Sequence, residues 1–197
     1  MQEPEVQAQP EPEPQPPELT ARRVVLRPFR DTDLDAVLEA ADDPLIPLIT
    51  SIPSGVDTAG ALAYITRQRN RLPAGLGYSF AVAERRDAAM AVGQVGLCLR
   101  DADIGRGRIR YWIRPSFRRQ GLAADALATL SEWAVSLPWV RRLELLIEPA
   151  NEGSWRAAES AGFQREGVLR AFQPIGGTQR DMAMYARISA PAAPPED

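Results

Sequence analysis

Apolar residues recur along the chain with two different periods, and these periods predict the order of the secondary-structure elements. Strict alternation, as over residues 142–148, predicts a strand, whereas apolar residues every three or four positions, as after Leu122, predict a helix. The predicted elements are a strand over 22–29, helices over 31–42 and from 57, strands over 78–84, 91–100 and 109–113, a helix from 122, a strand over 142–148, a helix over 151–162, and strands over 163–169 and 181–188. Pro44, Pro47 and Pro53 predict a loop between the first two helices.

This order predicts a mixed α/β sheet with helices on its faces, because it is not a simple strand–helix–strand repeat. Residues 1–18 consist almost wholly of Glu, Pro, Gln and Ala, with six prolines, and predict a disordered tail. Residues 190–197 have the same character. One folded domain is therefore expected over residues 19–189.

The stretch from Tyr111 to Ala124 combines a strand end, a short basic loop and a helix start. Pro115 ends the strand, and Gly121 allows the backbone to approach a ligand closely. The free N–H groups of a helix start, together with Arg118 or Arg119, favour an anion such as phosphate. On these residues alone, a plain surface turn is the alternative.

The composition excludes several kinds of chemistry. The chain has no histidine and no lysine, which excludes histidine-based triads and lysine Schiff bases. Its one cysteine, Cys98, is expected to be a small core residue, and no clustered Asp/Glu motif indicates a metal. Seven of the 26 acidic residues lie in the two tails, so the body has 19 acids against 23 arginines and suits an anionic ligand. No apolar run is long enough to span a membrane, and no secretory signal is visible. A cytoplasmic protein is therefore expected.

Three blocks carry a resemblance to a known family. The first runs from Tyr111-Trp112-Ile113-Arg114-Pro115 into Arg118-Arg119-Gln120-Gly121-Leu122-Ala123; the second is Arg142-Leu143-Glu144-Leu145 followed by Asn151-Glu152-Gly153-Ser154; the third is Ala161-Gly162-Phe163 followed by Glu166-Gly167-Val168-Leu169-Arg170. Over roughly residues 20–188, the chain resembles the GNAT acyltransferase superfamily, and within it the RimJ/RimL-type N-acetyltransferases.

The resemblance implies a twisted, mostly antiparallel mixed sheet of six or seven strands flanked by about four helices. It also implies that acetyl-CoA is the acyl donor, that a primary amine of a protein N-terminus or a small molecule attacks it directly in a ternary complex, and that no metal takes part. The coenzyme-binding residues that it implies are Ile113, Arg114, Arg118, Arg119, Gln120, Gly121, Leu122, Ala123, Ala124, Asn151 and Ser154. A monomer or homodimer is expected, with no nucleic-acid or membrane partner.

The sequence departs from the family pattern around the proton-transfer groups. Arg119 stands where the family usually has glycine, and Arg108 replaces a carboxylate often counted as a base. The tyrosine that many members use as general acid corresponds to Ala158, and an acid common in RimL-type enzymes corresponds to Gln173. These departures leave Ser154 as the candidate acid.

Glu148, at the end of a strand, is the candidate base. Its alternative is a solvated or ion-paired carboxylate. Arg106, Arg108 and Arg110 share one strand face and form either a basic wall for an acidic substrate or the coenzyme phosphates, or a solvated surface.

Two other classes of function stay open at this point. The missing family residues motivate a non-catalytic acyl-CoA-binding module, and the arginines from Arg106 to Arg119 motivate a nucleic-acid binder.

Overall fold

The computed structural model describes residues 14–189, which form eight strands and five helices. The strands are β1 (Leu19–Thr20), β2 (Val24–Arg27), β3 (Gly77–Glu84), β4 (Asp87–Cys98), β5 (Arg106–Ile113), β6 (Arg142–Ile147), β7 (Gln164–Ile175) and β8 (Thr178–Ile188). The helices are α1 (Leu34–Ala41), α2 (Ile46–Ile49), α3 (Thr58–Arg69), α4 (Leu122–Val135) and α5 (Glu152–Ser160). Of the predicted tails, 1–18 and 190–197, residues 1–13 and 190–197 lie outside the described residues.

All eight strands form one sheet, in the order β1-β2-β3-β4-β5-β6-β8-β7. Every neighbouring pair is antiparallel except β5 and β6, which run parallel. The predicted mixed, mostly antiparallel sheet is therefore confirmed. The sheet has eight strands, slightly more than the six or seven predicted, because of the short strand β1; the short helix α2 accompanies the four helices expected.

Those two elements depend on capping and pairing that local periodicity does not reveal. β1 is a two-residue extension of the proline-rich segment that pairs with β2, Leu19 opposite Leu26. α2 forms where prolines predicted a loop, because the Asp43 carboxylate accepts hydrogen bonds from the N–H groups of Leu45 and Ile46 at 2.9 Å each. Pro47 falls in its first turn, where a missing N–H costs nothing.

The last two strands form a longer hairpin than the alternation pattern predicts. Gly176 and Gly177 both have positive φ, 58° and 79°, so a two-residue turn joins β7 directly to β8. Ala171 also has positive φ, at 48°, beside a register shift between Leu169 and Gln173. This irregularity interrupts the alternation and hides the second half of β7 in the sequence.

The two faces of the sheet carry two separate apolar clusters. One cluster includes Leu122, Leu127 and Leu130 of α4, packed against Leu143 and Leu145 of β6. The other joins α1 and α3 to the opposite face at β3–β5, where Trp112 is buried. The alternation predicted for 142–148 is confirmed, since Leu143, Leu145 and Ile147 are buried together. The two faces of β5 consequently contact different helices.

A buried ion pair holds the start of α1 against β2. Arg27 and Asp33 have side chains only 1% and 0% exposed, and the guanidinium Nη1 and Nη2 donate to both carboxylate oxygens at 2.9 and 2.7 Å. Arg27 also donates to the carbonyls of Pro28, Ala88 and Ala89. Asp33 directly precedes α1, but its carboxylate makes no cap bond to that helix; it accepts hydrogen bonds from Arg27 and from the Arg30 N–H, which caps the preceding turn.

The substitution Asp33→Asn is expected to destabilise the protein by about 3–5 kcal/mol, because it leaves a buried guanidinium without its counter-charge. Urea unfolding of the variant measures this. Asp31→Asn is the matched control: it lies in the same turn, and its ion pair with Arg69 is exposed, so a loss below about 1 kcal/mol is expected. Equal losses in the two variants would contradict this account of Arg27 and Asp33.

Candidate active site

The two parallel strands β5 and β6 pair only briefly and then diverge, which opens a cleft. Their ladder runs from Arg106 opposite Arg142 to Arg108 opposite Glu144 and goes no further. Beyond that point the cleft has a volume of about 520 Å³. Residues of α2, of the loop that follows it and of the β7–β8 hairpin, including Ile49, Ser51, Gln173 and Ile175, line it. A volume of this size suits a small ligand or one arm of a larger one.

The loop after β5 presents free backbone donors at the start of α4. Arg119 and Gly121 have positive φ, 60° and 76°, and the first intrahelical bond runs from the Asp125 N–H to the Gly121 carbonyl. Within residues 14–189, the N–H groups of residues 119–124 have no acceptor. Successive free N–H groups at a helix start bind anions, so these residues fit a pyrophosphate. The predicted group Arg118, Arg119, Gln120, Gly121, Leu122, Ala123 and Ala124 lies together here.

The three arginines of this segment have different partners. Arg114 pairs with Glu39 at 2.7 Å, and Arg118 pairs with Asp43 at 2.8 Å. Arg119 makes no hydrogen bond or ion pair within the described chain and is exposed. The side chain best placed to meet an anion at this loop is therefore Arg119, the residue that occupies a position where the resemblance expects glycine.

Glu39, on α1, fastens the loop from the opposite side. Its carboxylate accepts hydrogen bonds from the Ser116 N–H at 2.7 Å, the Ser116 hydroxyl at 2.9 Å and Arg114 Nε at 2.7 Å. Burial by itself raises the pKa of Glu39, but the bonds from Ser116 and Arg114 outweigh it and hold that pKa below its usual value. Asp43 behaves in the same way: burial is outweighed by the Ile46 and Leu45 N–H groups and by Arg118, and its pKa is lowered.

Arg23, which directly precedes β2, binds the same loop. Its guanidinium donates to the Asp125 carboxylate at 2.6 and 3.0 Å and to the Gln120 carbonyl at 3.0 Å. A Cβ atom added to Gly121 would lie 2.6 Å from Arg23 Nη2. Glycine at 121 is thus required both by its positive φ and by the close approach of Arg23.

Two hydroxyl groups meet where β5 leaves β6. The Ser154 hydroxyl lies 2.7 Å from the Tyr111 hydroxyl, and both residues line the cleft. Burial raises the pKa of Tyr111 to about 12, although its bond to Ser154 opposes that shift. Tyr111 therefore keeps its proton at neutral pH.

Asn151 and Glu148 line the cleft next to Ser154. Asn151 caps α5, since its side-chain oxygen accepts from the Ser154 N–H at 3.2 Å. The Glu148 carboxylate lies 3.7 Å from Arg180 Nε, so it both faces the cleft and has a cationic neighbour. Ile113 ends β5 and Arg114 follows it; within residues 14–189, the edge of β5 toward β6 has no partner strand beyond Arg108.

A network of neutral polar side chains forms the floor of the cleft on the α3 side. Gln94 donates to Gln68 at 2.9 Å and to Ser79 at 2.8 Å, and its oxygen accepts from Trp112 Nε1 at 2.7 Å and from the Tyr64 hydroxyl. Each member has a partner within this network, which fixes the shape of the floor.

Sequence reasoning missed several residues that shape this site. Tyr111 belongs to the first sequence block, but no role was assigned to it. Glu39, Arg23 and Gln94 act from elements distant in sequence, so no local signal identifies them. The expectation that Cys98 is a core residue is wrong. It is partly exposed and lines the cleft, because it shares a strand face with Gln94 on the open side of the sheet.

Two further observations concern other kinds of site. No three cysteine or acidic side chains within residues 14–189 come close enough together to hold a metal ion. In the same range, no helix has the length and apolar character needed to cross a membrane.

Known proteins share both the sequence pattern and the fold. The family model "Acetyltransferase (GNAT) domain" matches residues 23–164. The chain is 25% identical over 176 residues to the uncharacterized N-acetyltransferase YoaA of Bacillus subtilis, covering 86% of this chain and 96% of that protein. RimL, a ribosomal-protein acetyltransferase solved with coenzyme A, superposes with a TM-score of 0.75 at 17% identity, covering 87% and 98% of the two chains. RimJ of Mycobacterium smegmatis gives 0.70 at 22% identity, covering 88% and 86%.

The chain therefore belongs to the GNAT acetyltransferase family. It is an acyl-CoA-dependent N-acetyltransferase, and acetyl-CoA is its cosubstrate. The resemblance to the GNAT superfamily drawn from the three sequence blocks is confirmed.

The substitution Glu39→Gln is expected to lower the free energy of unfolding by about 1–2 kcal/mol at pH 7, since it weakens hydrogen bonds made to a charged acceptor. Because the folded-state pKa of Glu39 lies below its unfolded value, the ionised carboxylate stabilises the fold above about pH 4.3, and this stabilisation is lost as the pH falls through the folded pKa. Denaturant titrations of both proteins from pH 7 to 3.5 should therefore show the difference shrinking.

Glu132→Gln is the matched control, because Glu132 is exposed on α4 and has no partner among the described residues. It should leave stability nearly unchanged across this range. A difference for Glu39→Gln that is absent at pH 7, or that grows toward pH 3.5, would refute the role assigned to the carboxylate.

Proposed function

We propose that this enzyme acetylates a primary amine, belonging to a protein N-terminus or to a small molecule, by direct attack within the cleft between β5 and β6. The observation that carries the proposal is the juxtaposition of two features: the run of free N–H groups at residues 119–124 and the Tyr111–Ser154 hydroxyl pair. The first suits the phosphates of a coenzyme, and the second lies where the unpaired edge of β5 would place its thioester. A cytoplasmic enzyme, acting as a monomer or homodimer, is part of the same proposal.

The roles of the coenzyme-binding residues follow from their positions. The backbone N–H groups of residues 119–124 hold the pyrophosphate, and Arg119 adds charge to that site. Ile113 and Arg114 offer main-chain hydrogen bonds to the pantetheine arm, while Asn151 bounds the far side of the cleft. Arg114 and Arg118 act by positioning, because their side chains are bound to Glu39 and Asp43.

The chemistry requires that one proton leave the amine and one reach the departing sulfur. Acetyl-CoA supplies an activated thioester; the N–C bond forms as the C–S bond breaks. Ser154, hydrogen-bonded to Tyr111, is positioned to donate a proton to the thiolate, and Tyr111 stays protonated at neutral pH to replenish it. Glu148, on the same cleft, accepts the proton of the amine directly or through water, and Arg180 Nε lies 3.7 Å from its carboxylate.

Two solved structures of the same fold are compatible with either kind of acceptor. RimL is described as an acetyltransferase of the N-terminus of a ribosomal protein, and another structure of the same fold, the microcin self-immunity acetyltransferase MccE, was solved with acetyl-CoA and AMP. Residues of α2 and of the β7–β8 hairpin line the cleft, whose volume is about 520 Å³. That volume suits either a compact amine or the first residues of a peptide.

The substitution Ser154→Ala is expected to lower kcat by at least about tenfold while changing the KM for acetyl-CoA little, because it removes a proton donor and no phosphate contact. Thiol release from acetyl-CoA across a panel of amines measures this with a chromogenic thiol reagent. The single cysteine, Cys98, contributes one fixed background equivalent.

Ser160→Ala is the matched control, since Ser160 is an exposed serine on the same helix and faces no cleft residue. Turnover by the wild type with loss confined to Ser154→Ala supports the proposed roles. Absence of turnover with every amine, despite coenzyme binding, would instead indicate the non-catalytic module. Equal kcat values for the two variants would remove Ser154 from the mechanism.

A further inference from the structure

The cleft in which the acceptor must bind is strongly cationic. Four arginines line it, from three separate parts of the chain: Arg71, Arg100, Arg108 and Arg110. Glu148 is its one lining carboxylate among the described residues, and Arg180 already lies 3.7 Å from that carboxylate. The lining therefore carries an excess of positive charge near the reacting groups.

These arginines are poorly compensated by the protein. Arg100 and Arg110 are exposed and have no hydrogen bond or ion pair within residues 14–189. Arg108 is about two-thirds buried, its Nε atom has no hydrogen-bond partner, and its guanidinium lies 4.0 Å from Glu144. Glu144 in turn is held more closely by Arg142, at 2.7 Å. A partly buried guanidinium with an unused donor favours an anionic ligand.

The coenzyme phosphates are not the anion that these arginines face. Arg108 and Arg110 alternate with Tyr111, and the same strand face continues to Trp112, which packs in the cluster of α1 and α3. The helix whose start presents the free N–H groups, α4, packs in the cluster on the opposite face. The free N–H groups of residues 119–124 and the arginine wall, formed by Arg108 and Arg110, therefore lie on opposite sides of β5.

The arginine wall has room for a ligand and lies close to the hydroxyl pair. Arg110 is opposite Gly96 and Arg108 is opposite Cys98, so small residues flank both guanidinium groups on β4. Arg110 lines the same cleft as Tyr111 and Ser154, beyond the point where β5 separates from β6. An acceptor that fills this cleft with its amine at the Tyr111–Ser154 pair would place a group a few bonds away within reach of Arg110.

We infer that the acceptor carries a carboxylate or phosphate group a few bonds from its amine, and that Arg110, with Arg108 behind it, selects for that anion. This inference rests on the proposed acetyl transfer and names the substrate class of the same site. The shared chemistry is an amine linked to an oxyanion, as in an N-terminus followed by acidic residues or in an aminoalkyl phosphate. Arg110 is then a specificity-determining residue that takes no part in proton transfer.

The test compares kcat/KM at saturating acetyl-CoA for acceptors that differ in charge alone. One set contains tripeptides that begin with serine and continue with two aspartates, two glycines or two arginines; the other contains aminoethyl phosphate and ethanolamine. The anionic member of at least one set should exceed its neutral partner by about tenfold or more, and the advantage should fall as salt rises. The set that shows the advantage identifies the source of the oxyanion.

Three variants locate the effect. Arg110→Gln should abolish the anionic advantage, and Arg110→Glu should shift preference toward the diarginine peptide. Arg106→Gln is the matched control and should retain the advantage, because Arg106 lies on the same face of the same strand, is exposed and does not line the cleft.

Neutral acceptors used as well as anionic ones, or an advantage that survives in Arg110→Gln, overturns the inference while acetyl transfer itself stands. A failure of every acceptor to release thiol overturns the proposed function, and this inference with it.

Discussion

β5 and β6 run parallel, pair from Arg106–Arg142 to Arg108–Glu144, and then separate, each held by its other neighbour. Their separation leaves the last residues of β5 with an unpaired edge, and unpaired strand edges bind extended ligands through main-chain hydrogen bonds. It also lets the hydroxyls of Tyr111 and Ser154 meet beside the opening. The donor site, the proton-transfer groups and the acceptor cleft all depend on this one interruption of the sheet.

The remainder of the site is held in place by charged contacts from the N-terminal half of the chain. Glu39 binds Arg114 and Ser116, Asp43 binds Arg118, and Arg23 binds the carbonyl of Gln120 and the carboxylate of Asp125. These contacts fix the loop between β5 and α4 so that its N–H groups remain free and aligned. Arg119, which has no such contact, is left for the ligand. The arginines that look equivalent in sequence thus divide into positioning residues and a binding residue.

Local patterns were sufficient to predict most elements and the central loop. The alternation of β6, the cap at Asn151 and the glycines of the β7–β8 turn act over a few residues, and sequence reveals such effects directly. Three nearby prolines hid the local cap of α2 at Asp43, and the position of Cys98 depends on which face of the sheet borders the cleft, so both were misjudged. The four arginines that line the cleft combine both cases. The sequence placed Arg108 and Arg110 on one strand face, whereas Arg71 and Arg100 join them only in the folded chain.

Calorimetric titration of acetyl-CoA into Gly121→Ala, with Gly167→Ala as control, tests the central claim that the loop before α4 holds the coenzyme. A Cβ at 121 must accommodate a φ of 76° and displace the flexible end of Arg23, whereas one at 167 meets nothing within 4 Å. The account predicts that the Kd rises by about tenfold or more in Gly121→Ala and stays unchanged in Gly167→Ala. An unchanged Kd in a folded Gly121→Ala protein would contradict it.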